Sequence, residues 1–101
     1  MRVLVFFDLP VKTMEQRREY SKFRRTLIKN GFMMLQESVY CKMAQNSNVV
    51  ETIQGFIHKN HPTEGLVQIL AVTEKQFQKM DLVVGERKSD ILDTDERLVV
   101  F

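Results

Sequence analysis

Cysteine is nearly absent from this 101-residue chain. Cys41 stands alone, so neither an intramolecular disulfide nor a cysteine-based zinc cluster can form, and a reducing, cytoplasmic setting is expected. Glycine and proline are scarce as well, at four and two residues, while 44% of the chain is hydrophobic and 28% charged. That balance excludes collagen-like, low-complexity and disordered classes. No apolar run approaches the roughly 20 residues that span a bilayer, and the apolar opening of the chain is too short for a secretory core, so neither a membrane role nor export is expected. A second domain has no room at this length, and a deep internal ligand cavity would consume much of a single core. A surface site or a subunit interface is the expectation. Gly-rich phosphate loops, G-x-S-x-G and H-E-x-x-H are all missing, and no internal repeat is visible.

What is present alternates between strand and helix signals. Residues 2–7 are a β-branched and aromatic run ending at Asp8-Leu9-Pro10, which reads as a buried strand stopped by a loop. Thr13 with Gln16 has the form of a capping box and Asn30-Gly31 supplies a stop, so a helix is predicted over 14–30 with Tyr20, Phe23 and Leu27 as its apolar stripe. Residues 32–43 open apolar and then alternate, with Leu35, Val39 and Cys41 on one side, as a long strand would. Asn48 with Glu51 suggests a second capping box, and Val50, Ile53 and Ile57 repeat at helical spacing before His61-Pro62, so a shorter helix is predicted over 47–60. Residues 65–73 are almost continuously apolar and read as a central strand buried on both faces. One helical turn at 74–77 and a short strand at 80–84 follow.

Read literally, the order is β-α-β-α-β-β. A ferredoxin-like sandwich, βαββαβ, requires the 32–43 run to be divided near Glu37, where no turn signal settles the matter. The expected organisation is a domain over 1–84, a charged connector over 85–96, and a terminal strand over 97–101 in which Leu98, Val99, Val100 and Phe101 pair with the parent sheet or with a second copy.

Charge is distributed unevenly. Residues 1–60 carry ten Lys/Arg against five Asp/Glu, for +5, whereas residues 61–101 carry five against eight, for −3. At 100° per residue, Arg18, Lys22, Arg25 and Lys29 fall within an arc of about 60° on the first helix, with Arg17 and Arg24 nearer its flanks. Glu15 and Glu19 are too few to neutralise them. Such a row is either a solvated helix face or a surface for a phosphate backbone. Asp8 sits where a buried strand meets the surface, so it is either a loop carboxylate capping nearby amides or a ligand for Mg²⁺ or Mn²⁺, completed by the same residue of a two-fold partner. His58 and His61 have an i, i+3 spacing that suits a metal, but two ligands next to Pro62 are a weak set. Asp90, Asp93, Asp95 and Glu96 lack the glycine and the ligand spacing of a calcium loop. Cys41 reads as core.

The Val5-Phe6-Phe7-Asp8 strand end, the basic first helix, Gly31-Phe32, the segment Leu35-Gln36-Glu37-Ser38-Val39-Tyr40 and the terminal strand together resemble the CRISPR-associated Cas-two family, over nearly the whole chain. The segment Val72-Thr73-Glu74-Lys75-Gln76-Phe77 further resembles the branch that accompanies single-protein effector nucleases. The resemblance implies an α+β, ferredoxin-like sandwich with two helices on one face of an antiparallel sheet, and a homodimer locked by the terminal strand. It implies a part in spacer acquisition, in which the dimer bridges two dimers of the Cas-one integrase and supports an incoming DNA duplex, with phosphates met by Arg17, Arg18, Lys22, Arg24, Arg25 and Lys29. It also implies the alternative of a metal-dependent endonuclease, acting on RNA or DNA, with Asp8 of each protomer beside Mg²⁺ or Mn²⁺. For the family's early-helix arginines near the active site, the sequence does not choose among Arg17, Arg18 and Lys22.

Overall fold

The computed structural model describes residues 1–85. The element order is β1 (Arg2–Asp8), α1 (Met14–Lys29), β2 (Met33–Gln36), β3 (Val39–Met43), α2 (Ser47–Lys59), β4 (Leu66–Val72) and α3 (Glu74–Gln78). The 32–43 run is therefore two strands, turned at Glu37-Ser38, and the order β2-β3-β1-β4 makes an antiparallel sheet of ferredoxin-like form. The turn lacks the Asn-Gly or Asp-Gly pair that would have marked it, and the register slips between Met34 and Gln36.

Local chemistry sets the helix limits. Thr13 Oγ1 accepts from Gln16 N–H at 3.0 Å, and Gln16 Oε1 accepts from Thr13 N–H at 3.0 Å, so the capping box at the start of α1 is formed as its sequence implies. At the other end, Gly31 takes φ +89°, its N–H bonds Ile28 O at 3.1 Å, and Phe32 N–H bonds Leu27 O at 3.0 Å. This is a Schellman stop, and it turns Phe32 into the core instead of starting a strand there. Lys42 Nζ adds a 2.6 Å hydrogen bond to Asn30 O at the same helix end. For α2, the cap is Asn46, whose side chain accepts from Val49 N–H, and not the Asn48-Glu51 pair. Asn46 wins because the helix is already under way at Ser47.

The sheet buries its two faces differently. Val3, Val5 and Phe7 point toward α1 and α2 and pack with Phe23, Leu27, Val50, Ile53 and Ile57. Phe7 centres this core, with ring centroids 5.2 Å from Phe23, 5.6 Å from Tyr40 and 5.8 Å from Tyr20. The opposite face carries a smaller cluster of Leu4, Cys41 and Phe77, so Cys41 is core as its alternation implied and α3 covers part of this face.

Two expectations are corrected. The 65–73 run is not a central strand buried on both sides: β4 lies at the edge of the sheet formed by the described residues, with Leu66 and Leu70 exposed on the face away from α1 and α2. Continuous hydrophobicity there reflects one packed face and one bare face. Residues 80–84 form no strand, because the end of α3 turns the chain through Lys79 N–H to Gln76 O and Met80 N–H to Phe77 O. The connector from 86 onward, including Asp90, Asp93, Asp95 and Glu96, and the terminal strand with Leu98, Val99, Val100 and Phe101 lie outside the described residues.

Two glycines give opposite tests. A Cβ on Gly65, which holds φ +100°, would lie 2.8 Å from Asp8 O and 2.7 Å from Leu9 Cδ2, whereas a Cβ on Gly55 meets nothing within 4 Å. Gly65→Ala should lower stability by at least about 1–2 kcal/mol, and Gly55→Ala should raise it by about 1 kcal/mol. Urea denaturation of the two variants checks both signs.

Candidate nucleic-acid interface

The helix that buries Phe23 and Leu27 against the sheet must turn its opposite side to water. Arg17, Arg18, Lys22, Arg24, Arg25 and Lys29 are all exposed. Among the described residues the ion pair present is Arg2–Glu74, so none of these six cations is matched by a carboxylate. Arg17 Nη1 donates to Val11 O at 3.2 Å, which ties it to the loop before α1. Lys22 stands apart from the others because it lines a groove between α1 and the end of α2. That groove also takes in Lys59 and His61, which were considered from sequence only as a helix end and as half of a metal pair. Nothing in linear spacing relates residue 22 to residues 59 and 61; the packing of two helices on one sheet face brings them together.

Asp8 is exposed at the last position of β1, directly across from Leu66. Strand alternation places it on the face with Leu4 and Phe6, away from α1 and α2. Its backbone is held by the close approach of Gly65 to Asp8 O and Leu9. The same face exposes Met33, Met43, Leu66 and Leu70, between 42% and 64% accessible, so the carboxylate borders a largely uncovered apolar surface. Among the described residues no three His, Cys, Asp or Glu side chains gather as a metal would require. His58 and His61 therefore find no third ligand there, and Asp8 by itself does not fit a divalent ion. No helix among the described residues is long and apolar enough to cross a membrane.

Arg2 fixes the other end of this face. Its Nε and Nη2 donate to the Glu74 carboxylate at 3.0 Å each, its guanidinium carbon sits 4.1 Å from the Phe77 ring centroid, and Nη1 reaches Cys41 Sγ at 3.8 Å. A fork of this geometry matches a carboxylate with two parallel bonds. α3, too short to persist alone, is thereby clipped to β1, and its Thr73-Gln76 capping box closes its first turn.

A sequence profile of the family described as CRISPR associated protein Cas2 matches residues 1–80. A protein of Treponema denticola named CRISPR-associated endoribonuclease Cas2 is 57% identical over 101 residues, covering 100% of both chains. Proteins of the same name from Lacticaseibacillus rhamnosus and Ligilactobacillus salivarius are 42% and 40% identical, again over 100% of both chains.

The Arg2 clip has a pH signature. Hydrogen bonds from Arg2 hold the Glu74 carboxyl below its ordinary value of 4.5, against a smaller opposing effect of burial. A carboxyl depressed in the folded state stabilises it above the unfolded value, and that contribution is lost as pH falls through the folded value. Glu74→Gln should therefore be less stable than the parent near neutral pH, and the gap should close as pH falls below about 4. Thermal melts of both proteins across that range provide the check.

Proposed function

This chain belongs to the CRISPR-associated Cas2 family, and we propose that it acts there as a homodimeric DNA-binding adaptor in spacer acquisition. In this reading, α1 lies along the phosphates of an incoming duplex while the dimer bridges two dimers of the Cas-one integrase in the cytoplasm. The observation that carries the reading is the set of six exposed cations on α1, none matched by a carboxylate among the described residues. A cationic row of this kind binds phosphates through counterion release and is indifferent to base sequence. The second copy is supported by the apolar face bearing Met33, Met43, Leu66 and Leu70, which the described residues of one chain leave exposed. The segment 97–101 is proposed to pair with the partner's sheet edge.

The relatives' name favours a second reading, an endoribonuclease. Asp8 is the residue it would use, exposed at a strand end on the face proposed for dimerisation. The described residues of one chain do not complete a site for Mg²⁺ or Mn²⁺, so this reading takes Asp8 of the partner as well.

The adaptor reading is tested by salt. If Arg18, Lys22, Arg25 and Lys29 of both protomers meet phosphates, log K against log salt approaches a slope of about −7. Arg18→Gln with Arg25→Gln should cut that slope to about half and weaken binding alike for all sequences. A slope indifferent to the double substitution would move the DNA elsewhere. Asp8→Asn then separates the two readings. The variant keeps nearly the same size, so it should fold, dimerise by sedimentation, bind duplex DNA and support spacer integration; loss of integration by such a protein would favour chemistry at Asp8. Metal-dependent RNA cleavage that collapses in the same variant would establish the second activity.

A further inference from the structure

The helical side of the sheet holds a cleft that α1 does not make alone. Lys22 and Thr26 of α1, with Lys59, Asn60 and His61 at the end of α2, line a space of about 160 Å³ that also admits Glu19. The C-terminal end of a helix ordinarily repels an anion through its free carbonyls. Here Asn60 N–H bonds Phe56 O and Ile57 O at 3.1 Å each, and Asn60 Nδ2 bonds Phe56 O at 2.9 Å, so two of the last four carbonyls of α2 are engaged. His61 Nδ1 lies 2.7 Å from Pro62 O. A carbonyl only accepts, so Nδ1 is the donor in that contact.

We propose that this cleft seats one backbone phosphate of bound nucleic acid, held by Lys22 and Lys59 beside His61. The proposal rests on the reading of α1 as a phosphate track and carries that track across onto α2. The charged and titratable groups around His61 are Lys22 and Glu19 from α1 and His58 and Lys59 from α2, while β4 offers only apolar Val67 and Ile69. Two lysines there face one carboxylate.

Salt titration of a short blunt duplex tests this with the full-length protein. Lys59→Gln, at an exposed position, should leave the melting temperature unchanged and reduce the log–log slope by about 0.9 per chain. If the Arg18/Arg25 double variant flattens the slope while Lys59→Gln leaves it unchanged, the cleft is overturned and the α1 track stands. If Lys59→Gln flattens the slope and the double variant does not, the cleft stands and the track along α1 falls. A parent that binds no duplex would overturn both.

Discussion

Everything in this fold hangs on β1 being satisfied on all four sides. It is hydrogen-bonded to β3 along one edge and β4 along the other, and it packs on the helices through Val3, Val5 and Phe7 and on α3 through Leu4. A strand so enclosed has no freedom of register, because a slip of one residue would drive Arg2, Phe6 and Asp8 into the helical core. Arg2 and Asp8 are its two ends. One anchors α3 through Glu74, and the other is delivered as an exposed carboxylate.

The two faces of the sheet are thereby given different work. The helical face is closed by aromatic packing around Phe7, and what it shows to solvent is the cationic side of α1 together with the Lys59–His61 end of α2. Among the described residues the other face is closed where α3 seats Phe77, and Met33, Met43, Leu66 and Leu70 stay exposed on it with a carboxylate at the border. A polyanion suits the first face and not the second; a copy of the same surface suits the second and not the first. The nuclease reading alone needs the Asp8 carboxylate, which is why Asp8→Asn separates the two.

Much of this was legible in the sequence, and the reasons are local. The capping box of Thr13 and Gln16, the Asn30-Gly31 stop and the stripe of Phe23 and Leu27 are interactions among residues a few positions apart, so composition and spacing record them. The cationic row follows from the same periodicity. The Glu37-Ser38 turn was not legible, because it lacks the Asn-Gly or Asp-Gly pair that marks a two-residue hairpin. The position of β4 was misread because burial of one face and exposure of the other leave the same hydrophobic letters. The Arg2–Glu74 clip and the Lys22–Lys59–His61 cleft join residues far apart in the chain, and nothing short of the assembled sheet brings them together.

The hydrogen bond from Lys42 to Asn30 O removes an asymmetry from α1. A bare helix has a negative pole at its last carbonyls, and a polyanion laid along it is drawn toward one end and pushed from the other. With Lys42 on the final carbonyl and Lys29 in the last turn, that pole is masked, and the cationic row continues to the C-terminal end of the helix. A polyanion laid along α1 would meet no bare negative pole at that end of the helix.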